Sequence, residues 1–201
     1  QNEKEKEVTL DFKAPWPRKT MAEVIKETLK LEVLNMKKEE LLDYAIENNL
    51  DVSGNDSWGD LVISIFDELV EHTIIQPTHI IDRPKESTPL CKQHRKDERL
   101  IEQNEPIALG MELGNMYSEL NNPLKQKELL EEQVEKGRGG DEEAHPMDED
   151  FIEAIETGMP PTGGIGWGID RMAILLLEQP IIRDVILFPT MKPREEEKPS
   201  K

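Results

Sequence analysis

Four glycines within six residues constrain this chain more than any other feature. They stand in the stretch GGIGWG at residues 163–168, and an arginine and an apolar run follow them. The period-two spacing of Gly164, Gly166 and Gly168 predicts a β-strand with one face free of side chains. Such a face lets a flat ring lie against the backbone, or lets another strand or helix pack closely. Both interpretations stay open at this level.

The residues around the glycines favour a nucleotide site without requiring one. Arg171 falls in the first turn of the predicted following helix, and a guanidinium holds a phosphate with two parallel hydrogen bonds. Ile165 and Trp167 are expected on the opposite face of the strand, in packing. The stretch lacks the G-x-x-x-x-G-K-[ST] spacing of a P-loop and the spacing of a dinucleotide-binding turn.

A second stretch, NEPIALGMELGNMYSELN at residues 104–121, carries acids and an amide around a predicted hairpin. Glu105 and Glu112 flank the hairpin, and two carboxylates beside a triphosphate are what Mg²⁺ requires. Asn115 and Glu119 can hold a carboxylate and an amine, respectively. The alternative is that all of these acids face solvent, as acids usually do.

The spacing of these residues creates a conflict of parity. Glu112, Asn115 and Glu119 cannot share one face of a straight strand, because side chains alternate between faces. If they line one pocket, the chain must bend near Gly114, and a β-bulge is the expected device.

Composition narrows the class of protein. The chain has 201 residues, 36% of them hydrophobic, and a formal net charge of −18, which suits one polar globular domain with a core. An acidic chain gains nothing from counterion release on a nucleic-acid backbone, so we expect no DNA partner.

Cys91 is the single cysteine, which excludes an intrachain disulfide. With no eighteen-residue apolar window and no apolar leader region, we expect a cytoplasmic protein without a membrane partner.

The periodicity predicts the elements of an α+β fold. A strand is expected at residues 8–12, a helix capped by Thr20 and Glu23, and further helices near residues 37–49, 58–74, 122–137, 148–158 and 170–179. Short strands are expected at residues 77–84, 105–120 and 163–168. Because helices and strands do not alternate regularly, we predict an antiparallel β-sheet flanked by helices. Residues 181–189 are expected to close the core, and residues 194–201 to form a disordered tail.

Several stretches together resemble one family, the class II lysyl-tRNA synthetases. TGMPPTGGIGWGIDRMAILL resembles the third signature motif of class II enzymes in its lysine-type form, and GMELGNMYSELNNPLKQ resembles the family's G-x-E-I-x-N-x-Y-S-E-L-N-D-P segment. DEEAHPMDEDFIEAIETGMPPTGG and IIRDVILFPTMKP match the flanks, and two upstream pieces match more loosely. The chain departs from the family at QNEP, where RFE is usual.

The resemblance implies a role for each candidate residue. Arg171 resembles the catalytic arginine that binds the γ-phosphate of ATP, and the bare strand of Gly164, Gly166 and Gly168 resembles the ATP-binding strand under the adenine. The Mg²⁺-binding acids are matched by Glu105 and Glu112, the residue at the carboxylate end of L-lysine by Asn115, and the partner of the lysine ε-ammonium by Glu119.

The resemblance also implies what the chain is part of. Residues 1–201 match the C-terminal part of a class II synthetase catalytic domain, of the type that activates lysine with ATP and transfers it to tRNA(Lys) as a homodimer. The first and second motifs and the anticodon-binding OB domain find no match here. We therefore expect either an incomplete sequence or a truncated paralogue, acting as a lysine ligase on a protein or as a non-catalytic scaffold.

Overall fold

The computed structural model describes residues 8–139 and 144–190. The predicted tail at residues 194–201 lies outside them. The chain falls into two compact units, which divide between Trp167 and Gly168. Across the described residues, no helix combines the length and apolar character that a membrane span needs.

The described residues form six helices and six strands. The helices are α1 (Met21–Leu29), α2 (Lys38–Glu47), α3 (Trp58–Leu69), α4 (Pro123–Arg138), α5 (Glu149–Glu156) and α6 (Ile169–Leu176). The strands are β1 (Arg18–Thr20), β2 (Thr78–Ile81), β3 (Gln103–Ala108), β4 (Met111–Glu112), β5 (Gly114–Ser118) and β6 (Gly163–Trp167). Short 3-10 turns occupy Val33–Asn35, Glu71–Thr73, Lys85–Ser87 and Ile182–Asp184.

The strands make one sheet in the order β1-β2-β3-β5-β6, with β4 paired to β3. Every pair is antiparallel except β1 with β2, so the predicted α+β fold is confirmed with one parallel pair at the edge. Parallel neighbours need a long crossover connection. The segment that holds α1, α2 and α3 provides it between β1 and β2.

Local sequence signals define where several helices begin. The Thr20 hydroxyl accepts a hydrogen bond from the Glu23 amide, and the Glu23 carboxylate accepts one from the Thr20 amide, which completes the predicted capping box of α1. Asn122 and Asp148 cap α4 and α5 through their side chains. These caps satisfy backbone donors that would otherwise lack partners in the first helical turn.

The main core lies between the first three helices and one face of the sheet. Ile80 and Ile107 contribute to it from β2 and β3, and both are fully buried. Fully buried core residues of α1, α2 and α3 include Ile25, Leu41 and Phe66. Because Thr78 pairs with Ile107, Ile80 and Ile107 lie on the same face of the sheet.

Three expectations from the sequence are wrong. Residues 8–12 form no strand, because the side chain of Gln76 bonds the Asp11 amide and the Thr9 carbonyl in place of a neighbouring strand. Ile165 is 68% exposed rather than packed, since its register places it on the face of the sheet opposite the main core. Residues 181–189 do not close a core: Leu187 is 90% exposed and Phe188 is 92% exposed.

Candidate functional site

The register of three adjacent strands gathers most of the candidate residues on one face of the sheet. Gln103 of β3 pairs with Tyr117 of β5, which pairs with Gly164 of β6. Asn115 pairs with Gly166 in the same way. Residues two apart on a strand share a face, so all five of these residues lie on the same side of the sheet, which we call the site face.

A β-bulge brings Glu112 onto this face, as the parity conflict predicted. Ile107 pairs with Glu112, whereas Asn104 pairs with Met116, so two residues of β3 lie opposite three residues on the returning chain. The interruption falls at Leu113, which is fully buried and whose amide donates to the Pro106 carbonyl at 2.7 Å. The inserted residue reverses the alternation, so Glu112 and Asn115 point the same way.

The turn before the bulge also has a tightly defined backbone conformation. Leu109 and Gly110 connect β3 to β4, and both have positive φ angles, 54° and 64°. Two-residue hairpin loops favour this left-handed backbone because its twist matches that of the strands. A side chain at Gly110 would also meet the His72 backbone at 2.8 Å. The turn therefore fixes the register in which Glu112 lies opposite Ile107.

Glu119 lies over the glycine strand. A Cβ atom added to Gly164 would overlap Glu119 Oε1, so the missing side chain makes room for this carboxylate. A Cβ at Gly166 would meet nothing closer than the Asn115 carbonyl oxygen at 3.8 Å. The burial of Glu119 raises the pKa of its carboxyl. The glycine face is thus open at Gly166 and covered by an acid at Gly164.

Glu105 is buried in a network that the sequence did not indicate. Arg83 Nη1 donates to Glu105 Oε2, and both side chains are 8% exposed. Gln103 Nε2 donates to Glu105 Oε1 at 2.9 Å. Burial raises the pKa of the Glu105 carboxyl to about 7, the charge of Arg83 opposes this shift, and the charges of Glu112 and Asp67 reinforce it.

Asp67 extends this network to helix α3. Its Oδ1 atom lies 3.4 Å from Arg83 Nη2, and burial raises the pKa of its carboxyl, with Arg83 opposing that rise. The guanidinium of Arg83 also lies 5.6 Å from the centre of the Phe66 ring. One arginine therefore pairs with the buried Glu105 and the more exposed Asp67 at the point where α3 meets the sheet.

The acids of the site face suit a hard cation in their chemistry. Glu105 and Glu112 both lie on this face, and the charge of Glu112 acts on Glu105. Both oxygens of Glu105 also accept hydrogen bonds, from Arg83 and from Gln103. Mg²⁺ is usually held by one or two carboxylates together with phosphates and water. Among residues 8–139 and 144–190 no group of three or more His, Cys, Asp or Glu side chains forms a metal site.

Two predicted residues belong to the second unit. The strand ends at Trp167, and Gly168 is the N-cap of α6 rather than a strand residue. Arg171 is exposed and lies in the first turn of α6. The face free of side chains consequently consists of Gly164 and Gly166 alone, and the predicted third position is corrected.

Cys91 is a buried thiol beside the candidate site. It is 2% exposed and pairs with Glu119 in an isolated bridge. Burial, with the charges of Glu102 and Glu119, raises the pKa of the thiol to about 12. A protonated thiol is a poor nucleophile, so the structure favours a packing role for Cys91.

Sequence reasoning missed Arg83 and Gln103. Gln103 lies two residues from Glu105, and strand periodicity alone could have found it. Periodicity could not have found Arg83. Strict alternation would place Asp82 on the same face as Ile80 and Arg83 on the opposite face. The backbone at Asp82 has a φ of 59°, and the pairing shifts by one residue between Ile81 with Asn104 and Pro84 with Leu100.

Comparison with known proteins identifies similar chains. The family of class II tRNA synthetases for aspartate, lysine and asparagine matches residues 1–192. A lysine–tRNA ligase of Pelotomaculum thermopropionicum is 48% identical over 189 residues, covering 92% of this chain and 37% of that protein. Enzymes of the same name from Thermoanaerobacter pseudethanolicus and Thermosipho africanus are 44% and 43% identical over 93% and 94% of this chain. The chain spans about 38% of the length of these relatives.

Proposed function

The chain belongs to the class II tRNA synthetases of the aspartate, lysine and asparagine group, and from this premise we propose that it supplies the lysine- and ATP-binding face of a lysine–tRNA ligase. The observation that carries the proposal is the carboxylate of Glu119 lying over Gly164, on the face that also holds Asn115. The names of relatives at 48% and 44% identity favour lysine over aspartate and asparagine.

In this proposal Glu119 recognises the ε-ammonium of lysine. A half-buried carboxylate that faces a cation selects for it, because a neutral side chain would leave the acid unpaired in a site poor in water. Glu112 adds negative charge to the same face, whereas the charge of Glu105 is offset by Arg83. Asn115 then holds the α-carboxylate of lysine through its amide hydrogens.

The same face would present ATP to that carboxylate. Gly166 leaves an open stretch of backbone on which a flat base fits. Glu105 and Glu112 would hold Mg²⁺, which offsets the negative charge of the phosphates when it is bound. Arg171 and Gly168 are proposed ATP contacts on the strength of the sequence resemblance, with Arg171 at the γ-phosphate.

The proposed reaction needs no covalent bond to the protein. The lysine carboxylate attacks the α-phosphate of ATP, pyrophosphate leaves, and the lysyl group passes from the adenylate to the 3′ end of tRNA(Lys). This chain contributes binding, orientation and charge to those steps. The complete activity, the tRNA partner and a homodimeric assembly belong to the proposal, because the chain covers about 38% of its relatives.

Isothermal titration with L-lysine and with the lysyl-sulfamoyl adenylate analogue tests the proposal. Glu119→Gln should weaken binding of both by about 2–4 kcal/mol, or about 30- to 900-fold in Kd, because the ammonium loses its charged partner. Glu128→Gln is the matched control, since Glu128 is an exposed acid of α4 paired with Lys125; its affinity should equal that of the wild type.

Two results would contradict the proposed function. Unchanged binding by Glu119→Gln would remove Glu119 from the lysine site. Absence of heat with ATP, L-lysine and the analogue in the wild-type chain would favour a non-catalytic scaffold instead.

A further inference from the structure

Gln103 is a buried amide at the centre of the site face that the proposed function leaves without a role. It begins β3 and is 3% exposed. It lies two residues from Glu105 on the strand and opposite Tyr117 on β5. Burying an amide this deeply is unfavourable unless hydrogen bonds compensate, so the bonds that Gln103 makes show what it does.

When Glu105 is ionised, the hydrogen bonds of Gln103 have one direction. Its Nε2 atom lies 2.9 Å from Glu105 Oε1 and 3.2 Å from Asn115 Oδ1. A carboxylate that already accepts from Arg83 requires another donor, and only the nitrogen of the Gln103 amide can donate. The second proton on the same nitrogen is then directed at Asn115.

This arrangement determines which way the Asn115 amide is turned. Because Gln103 donates to it, Asn115 must face Gln103 with its oxygen, Oδ1. The Nδ2 atom of Asn115, with both of its protons, therefore points away from Gln103. A substrate carboxylate can only accept hydrogen bonds, so this is the orientation that suits it, and the reversed amide would repel it.

This assignment leaves one atom of Gln103 unsatisfied, and the alternative rotamer would cost more. Gln103 Oε1 is buried and has no hydrogen-bond partner among the described residues, which is costly for a protein interior. Rotating the amide would move Oε1 against two acceptors, Glu105 Oε1 and Asn115 Oδ1. The observed rotamer keeps two donated bonds and leaves one acceptor unpaired, which is the smaller loss.

We propose that Gln103 is a positioning residue that turns the Asn115 amide so that its nitrogen meets the α-carboxylate of the amino-acid substrate. The proposal rests on the proposed function, because it takes lysine as the ligand of this face. It links the acid side of the site, Arg83 and Glu105, to the substrate side through one relay of hydrogen bonds.

Comparing L-lysine with L-lysinamide isolates this role. The carboxamide of lysinamide both donates and accepts, so it tolerates either orientation of Asn115, whereas the carboxylate of lysine needs donors. Gln103→Met should reduce the preference for lysine over lysinamide about fivefold, the usual effect of one hydrogen bond. Gln103→Lys, which can only donate, should retain the preference.

A second buried glutamine provides the matched control. Gln126 of α4 is fully buried and donates through Nε2 to the Pro89 carbonyl, and its Oε1 has no partner within the part of the chain that the structure describes. Gln126→Met should leave the ratio of the two affinities unchanged. If Gln103 had only a structural role, Gln103→Met would lower the affinity for L-lysine and for L-lysinamide equally. That result would overturn the proposal, and so would an unchanged ratio of the two affinities.

Amide-proton exchange measured by NMR separates failure of this proposal from failure of the proposed function. The Nε2 protons of Gln103 should exchange slowly in the wild type, since both are buried and donated. If the Nε2 protons of Gln103 exchange as fast as solvent-exposed amides while lysine still binds, the role of Gln103 is overturned and the proposed function is not. Slow exchange in a chain that binds neither lysine nor lysinamide refutes the lysine site, and the role of Gln103 with it.

Discussion

At the scale of single residues, the site depends on the absence of a side chain at Gly164. In sequence, this glycine belongs to a period-two run that suggests a bare floor for a flat ring. In the structure, the space over it is taken by the Glu119 carboxylate, and Gly166 is the position that remains open. The position of a missing side chain can be predicted from the sequence, but the group that fills the space comes from another strand and cannot.

Gly164→Ala should separate binding from stability. The new methyl group meets the flexible end of Glu119, which can move away, so the free energy of unfolding should change by less than about 0.5 kcal/mol. The displaced carboxylate should lower lysine affinity about tenfold, or about 1.4 kcal/mol. Urea unfolding and isothermal titration measure the two effects.

Gly163→Ala is the control for that substitution. A Cβ at Gly163 meets only the Tyr117 carbonyl oxygen, at an ordinary 3.9 Å, so both quantities should remain at their wild-type values. Equal lysine affinity in the two variants would show that Glu119 does not need the space over Gly164.

At the scale of elements, the bulge between β4 and β5 brings Glu112 onto the same face as Asn115 and Glu119. The parity of Glu112, Asn115 and Glu119 requires a bend near Gly114, and the pairing shifts by one residue at Leu113. Helix caps at Thr20 and Asp148 were equally predictable, because local chemistry sets them. The shift at Asp82, which turns Arg83 toward Glu105, carries no comparable local signal, so the buried ion pair was missed.

Gly114→Ala should destabilise the sheet where β5 meets β6. A Cβ there would lie 2.5 Å from the Gly166 carbonyl oxygen and 3.3 Å from the Trp167 Cα. Backbone atoms of a paired strand cannot move aside as a side chain can, so we expect a loss of about 1–3 kcal/mol in the free energy of unfolding. Urea unfolding of Gly114→Ala and Gly163→Ala measures this loss. Equal unfolding midpoints for the two variants would contradict the close contact between Gly114 and β6.

At the scale of the whole molecule, helices α1, α2 and α3 and the site face lie on the same side of the sheet. The core residues Ile80 and Ile107 lie on the same side as Glu105, and the network of Arg83 and Asp67 marks where that core ends. The fold class followed from the order of helices and strands. The exposure of Leu187 and Phe188 could not be predicted, because a run of apolar residues does not reveal whether neighbours cover it.

The central claim is that Glu119, Asn115 and the open backbone at Gly166 form one ligand-binding face. A crystal structure of the chain with the lysyl-sulfamoyl adenylate analogue and Mg²⁺ tests it most directly. We predict the ε-ammonium within hydrogen-bond distance of Glu119, with the adenine against the backbone at Gly166. An analogue bound away from this face, or an ammonium paired with a different acid, would contradict the claim.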